Sequence, residues 1–332
     1  MKRHRFGLAN WIARPSTFTP LALIACLLSI LISCAQQPET PIRVGANVWP
    51  GFEPLFLARE LGYYQGQPIE LHDYPSSTEI SQALRNGDLD VAAFTMDEVL
   101  SLAETNPDIQ VVLVTDFSNG GDVFLAKPEI QTPNDLKGKK VGVESSALGG
   151  YMLARSLDKL GLSLDTLKIS SLGVSEHEQA YKQNVVDAVI TFEPVRSNLI
   201  KTGAKVLFDS SQIPGEIIDV LVTRKDVLAN RERTMKALIE GWFRALDYQQ
   251  QQPQDAARKM AQREQITPEQ FIESLKLLTI PDRQTNIKLL NKTEPSLIEN
   301  TKRLGQVMLK NKLLKKVAPI DQLISDQLVK ES

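Results

Sequence analysis

Seven carboxylates stand where short apolar runs give way to loops or helix starts: Glu53, Asp97, Glu98, Asp116, Glu176, Glu193 and Asp219. The same loops hold no arginine or lysine. An isolated carboxylate is costly to bury unless it is paired, so acids gathered in a closed cleft need donors or a cation. Trp49, Phe52, Phe117 and Phe192 accompany them and can stack a flat ring or cover a positive charge. This set suits a small ligand with an amino or amidine-like group, such as an aminopyrimidine. Glu193 and Asp219 are its leading contacts, whereas Glu98 and Glu176 read as helix caps. A rival set is built from hydroxyls. Ser76, Ser77, Thr95, Ser145 and Ser146, all near helix starts, can hold an oxyanion such as a sulfonate without arginine.

Neither set is catalytic. His72 adjoins Asp73 in a strand, and His177 lies on a helix between Glu176 and Glu178, so both read as surface or satisfied histidines. No residue supplies a nucleophile beside a base. No HExxH, P-loop or GxGxxG fingerprint is present. The expectation is a binding protein, not an enzyme, with no cofactor and no metal.

The stretch Asn47 to Pro54 is central to the positioning. It follows a strand, Ile42 to Ala46, and leads into a helix from Leu55 to Tyr64. Pro54 sits in the first turn, where a missing N–H is tolerated, and Gly62 marks the stop. Trp49, Gly51 and Glu53 therefore ride on a loop from a strand end to a helix start, where ligands bind in open α/β sheets. Strands and helices alternate through Val114, as in a doubly wound sheet. Asp116 to Asp122, including Asn119, is a turn-rich crossing into a second lobe, and Asp219 lies on the return crossing. Gly87 to Thr95 is echoed by Asn184 to Thr191, each with an aspartate at the strand start. Those aspartates, Asp90 and Asp187, read as structural, bonded to backbone donors.

The chain opens with Lys2, Arg3, Arg5 and Arg14 before an apolar run from Leu21 to Ile32. The run is too short to span a bilayer comfortably but suits a signal segment. Leu31-Ile32-Ser33-Cys34 resembles a lipobox, which makes 1–33 a lipoprotein signal, Cys34 the lipidated residue and 34–41 a tether. Cys26 leaves with the signal, so no internal disulfide is available. Without the four basic residues of 1–33, 34 basic face 40 acidic residues, a net of −6. That excludes nucleic acid as an expected partner.

The motifs VWPGFEPLFLARELGYY, NGDLDVAAF, LKGKKVGVESSALGGYML and VVDAVITFEP occur in that order behind the lipobox. Together they resemble the periplasmic substrate-binding proteins of ABC importers, in the nitrate, sulfonate, taurine and thiamine-precursor group. The resemblance implies an α/β, two-lobed periplasmic-binding-protein type II fold, each lobe a mostly parallel doubly wound sheet, with a helical C-terminal region. Residues 42–117 plus 218–332 would form lobe one and 122–213 lobe two. A small-molecule ligand would bind between them and pass to a membrane permease. The protein would be a monomer, lipid-anchored in the periplasm or on the outer face of the membrane. A receptor that reports its ligand without transport shares every one of these features.

Overall fold

The structure, a computed structural model, describes residues 39–291 and 296–331. The expected signal segment, the expected lipidation site Cys34 and residues 34–38 of the expected tether lie outside those residues. The chain begins with β1 (Ile42–Ala46), α1 (Glu53–Glu60), β2 (Ile69–Asp73), α2 (Ser77–Asn86), β3 (Val91–Thr95), α3 (Met96–Ala103) and β4 (Ile109–Ser118). It crosses over into β5 (Asp122–Ala126), β6 (Lys140–Val143), α4 (Ala147–Leu160), β7 (Lys168–Ser171), α5 (Val174–Lys182), β8 (Ala188–Phe192), α6 (Val195–Lys201) and β9 (Lys205–Asp209). It returns as β10 (Ile218–Arg224). The remainder is α7 (Lys225–Asn230), α8 (Glu232–Gln251), α9 (Pro253–Glu264), α10 (Pro268–Leu275), β11 (Leu278–Thr279), α11 (Arg283–Leu290), α12 (Ser296–Lys310), α13 (Ile320–Leu323) and α14 (Gln327–Glu331).

Local chemistry sets these boundaries. The Ser76 hydroxyl caps α2 by accepting from the Glu79 N–H at 3.2 Å, and Gly87 ends the helix at φ +78°. Ser146 caps α4 from the Gly149 N–H at 3.1 Å. Pro54 lies in the first turn of α1, which starts two residues earlier than the sequence suggests because a 3-10 turn, Pro50–Phe52, leads into it. Strands β3, β5 and β8 are buried along their whole length. That is the pattern of strands covered on both faces. The stripe of Met235, Leu238, Ile239, Trp242 and Phe243 on α8 is buried core.

Two sheets result, ordered β11-β4-β10-β3-β1-β2 and β7-β6-β8-β5-β9. The α/β, two-lobed class is as expected, but the pairing is mixed. Strand β1 is parallel to β2 and β3, and β6 is parallel to β7 and β8. Each crossing delivers its strand in reverse: β10 inserts antiparallel between β3 and β4, and β5 antiparallel between β8 and β9. The first residues of β10 and β5 therefore lie beside the last residues of their neighbours. Asp219 pairs with Thr95 on one side and Asp116 on the other; Asp122 pairs with Phe192. Side chains at both crossings are thus brought to the strand ends where loops gather. Asp90 and Asp187 sit at the opposite ends. Asp90 accepts from the Arg43 backbone N–H at 2.9 Å and pairs with the Arg43 and Arg224 guanidiniums, and Asp187 accepts from the Lys140 N–H at 2.8 Å.

Candidate functional site: an acidic cavity between the lobes

The two sheets belong to one compact unit beginning at Pro41, and α3 packs against α4 across the divide. Between the lobes is a cavity of about 20 Å³, lined by Asn47, Trp49, Phe52, Ser77, Phe94, Thr95, Glu98, Asp122, Leu148, Phe192 and Asp219. This is room for about one water. No lysine or arginine lines it.

Three carboxylates face that small space, each from a different element. Glu98 comes from the first turn of α3, Asp122 from the start of β5 and Asp219 from the start of β10. Glu98 Oε1, Asp122 Oδ2 and Asp219 Oδ2 are all buried without a hydrogen-bond partner among the described residues. Burial pushes Asp122 up to about 7, with the Glu193 charge adding and the Ser118 hydroxyl opposing. Burial, then the charges of Asp116 and Asp122, hold Asp219 well above the usual carboxylate range. Glu98 is held high by burial and by Asp97 and Glu144. Glu98 is nonetheless a cap, as its sequence position suggests. Its Oε2 accepts from the Thr95 N–H at 3.1 Å, and its Oε1 has no partner among the described residues.

Trp49 forms one wall. Its ring meets Phe192 edge-on, centroids 5.8 Å apart at 87°, so residues of the two lobes touch here. Its indole N–H donates to Asp116 Oδ2 at 3.1 Å. Asp116 is itself pushed up to about 7 by burial, against the stabilising bonds from Trp49 and Asp219. A Cβ on Gly51 would lie 1.8 Å from Asp116 Oδ2 and 2.6 Å from Trp49 Nε1. Glycine is required because nothing larger fits beside that pair.

Several expected residues do not reach the cavity. Gly51 is buried against Asp116 and offers no backbone to a ligand. Glu53 is fully buried but bonded to Arg263, which reaches it from α9. Glu193 is buried and satisfied by Arg196 at 3.0 Å and the Ser197 hydroxyl at 2.8 Å, because its carboxylate reaches over the first turn of the helix that follows it, α6. Ser76 is spent as a cap. Asn119 is exposed, and its N–H is bonded to the Leu277 carbonyl at 2.7 Å. Asp97 is buried beside the cavity rather than in its lining, both its oxygens without partners among the described residues. It too is pushed up to about 7 by burial. Ser145 and Ser146 line an adjoining chamber of about 170 Å³ with Ser77, Ser81, Ser101 and Arg85. Trp49, Phe52, Ser77, Thr95, Glu98, Phe192 and Asp219 are the expected residues the fold brings together. Asp122, Phe94 and Asn47 were not singled out in the sequence. Asp122 lies in the crossing, where turn residues mask its strand register.

Neither His72 nor His177 lines the cavity. His177 is buried, its Nδ1 3.1 Å from the Thr191 hydroxyl, and burial lowers it to about 4. Among the described residues no cluster suits a metal ion and no helix is long and apolar enough to cross a membrane.

The family described as NMT1/THI5 like matches residues 49–256, a span that contains all of the cavity's lining except Asn47. The chain belongs to this family. The taurine-binding periplasmic protein of Escherichia coli (strain K12) is 26% identical to this NMT1/THI5-like chain over 230 residues, 68% of this chain and 70% of that protein. Among solved structures, the alkanesulfonate-binding protein SsuA from Xanthomonas axonopodis pv. citri, bound to MOPS, superposes with a TM-score of 0.72 at 17% identity, covering 86% of this chain and 98% of that one. The desulfurization enzyme DszB shares the fold with a TM-score of 0.66 at 14% identity, over 88% and 98% of the two chains. The NMT1/THI5-like fold thus carries both binding proteins and an enzyme, and the residues of the cleft decide between them.

Proposed function

We propose that this protein is the extracytoplasmic solute-binding component of an import system, and that it captures a small organic cation, an amine or an amidine- or aminopyrimidine-like compound, between its lobes. The observation that carries the reading is the acidity of the cavity: Glu98, Asp122 and Asp219 line it, and no lysine or arginine does. Such acids need a counter-charge from outside the chain or must stay protonated. The flanking rings supply the faces a cation favours. The lobes part to admit the ligand and close over it, since the closed cavity holds about one water. A permease then receives the ligand, and lipidation at Cys34 keeps the protein at the membrane. The reading includes no catalysis.

The hydroxyl-lined chamber favours a second reading, an oxyanion or an aminosulfonate. Arg85 stands beside Ser81 and Ser146 there, and the relatives named for taurine and alkanesulfonates point the same way.

A thermal-shift screen of the purified protein decides between the two. Amines, amidines and aminopyrimidines are compared with taurine, alkanesulfonates and nitrate. A ligand at a hundredfold excess over its Kd stabilises by about 2.7 kcal/mol. The cation reading requires shifts with amines that Asp219→Asn abolishes. Shifts with sulfonates alone, unaffected by Asp219→Asn, would overturn it.

A further inference from the structure

The cavity has two features that ask for different cations. Four aromatic rings border it, and a box of rings is the usual receptor for a fully alkylated ammonium, which offers only C–H groups. Three of its lining carboxylates each also carry a buried oxygen with no hydrogen-bond partner among the described residues: Glu98 Oε1, Asp122 Oδ2 and Asp219 Oδ2. Resting on the cation reading above, we infer that the ligand's charged group bears several N–H donors, a primary ammonium or an amidinium, and that fully alkylated ammonium ions are rejected.

The acceptors decide the matter because they are fixed. Asp219 and Asp122 are the early residues of strands held in the sheets on both sides, and Glu98 is tied at its other oxygen to the Thr95 N–H. The pairing fixes the backbone from which each aspartate reaches the cavity, and the bond to Thr95 holds Glu98. An ammonium group carries three donors pointing apart, which matches three acceptors arriving from three elements around one small volume. An amidinium offers a planar set that spans two or three of them. A trimethylammonium group would place methyls against all three oxygens and leave each buried and unpaired. The rings do not substitute for donors either, since the indole N–H of Trp49 is already given to Asp116. Their role is to sandwich the flat or apolar part of the ligand while the oxygens read its N–H groups. Sites built to hydrogen-bond a substrate group reject analogues that lack it far more strongly than apolar pockets reject a change of size.

The test holds the ring constant and varies the donors. Benzamidine, benzylamine and benzyltrimethylammonium are titrated into the purified protein at pH 8 by calorimetry. Benzamidine and benzylamine are expected to bind at least about a hundredfold more tightly than the trimethyl compound. Glu98→Gln and Asp219→Asn, each close in shape to the original, are expected to narrow that gap, with circular dichroism showing both variants folded. Equal or tighter binding of benzyltrimethylammonium overturns the inference and makes the site an aromatic cage. Binding of none of the three, with methanesulfonate bound instead, overturns the cation reading beneath it.

Discussion

Asp122→Asn removes one titration while preserving shape, and its effect on stability is worked from the burial of that carboxyl. The group moves from an ordinary 3.8 to about 7 in the folded protein. The folded state therefore holds the proton where the unfolded chain has released it. Stability tied to this group is intact below 3.8, falls as pH rises toward 7, and is flat above that. At about 1.4 kcal/mol per unit, the full loss is roughly 4 kcal/mol, of which about 3 kcal/mol falls between pH 5 and pH 7. Asparagine does not titrate. The relief it gives Asp219, whose carboxyl the Asp122 charge holds up, has the same sign. Urea unfolding followed by circular dichroism at pH 5, 6, 7 and 8 checks this without any ligand. The wild type should lose stability across the range and the variant should lose less, the gap opening to about 3 kcal/mol by pH 7. Parallel curves would show that Asp122 is not held protonated by its surroundings, and the counter-charge argument for the cavity would fall with it.

Three further outcomes are expected. Gly51→Ala forces a methyl into Asp116 and the Trp49 indole; thermal unfolding should show a loss of about 1–3 kcal/mol, and affinity for amines should fall with it. Arg263→Met leaves the fully buried Glu53 without its partner and should cost about 3–5 kcal/mol in urea unfolding at pH 8. That cost should shrink below about pH 7, where Glu53 takes up a proton, and a second change, Glu53→Gln, should restore much of it. Affinity for a protonated amine should rise with pH by up to about tenfold per unit per proton displaced and level off above about 7, because a carboxylic acid such as Asp122 must ionise before it can pair with a cation. Calorimetry over pH 5 to 9 measures the trend, and affinity that falls with pH would contradict it.

Much of this architecture is written in short-range chemistry. The strand-start aspartates Asp90 and Asp187 and the strand-end position of Trp49 follow from a few neighbouring residues, and the fold places each as expected, whereas Ser76 and Ser146, read as oxyanion contacts, serve as helix caps. Asp219 was legible because a crossing strand must start near the strand ends of its neighbours. Glu53 was not. It sits after Trp-Pro-Gly, where a ligand contact is reasonable, and what neutralises it is Arg263, 210 residues away in sequence. Glu193 misled for the opposite reason, since its partners are so close, on the next helical turn, that they read as ordinary helix residues. Asp122 was hidden because its role depends on strand β5 entering the second sheet antiparallel, a register no local pattern announces. Glu98 shows that two readings can both hold, with one oxygen serving the helix and the other serving the cavity.

The edge-on contact of Trp49 with Phe192 has a use outside transport. Trp49 belongs to the first lobe and Phe192 to the second, so the indole's surroundings change whenever the lobes separate. Its emission also depends on Asp116, the carboxyl that accepts its N–H. The other tryptophan among the described residues, Trp242, is fully enclosed in α8 and stays a constant background. On the proposed function the protein would carry its own fluorescent gauge of occupancy, and a reagentless optical sensor for whatever it captures would need no dye and no added label.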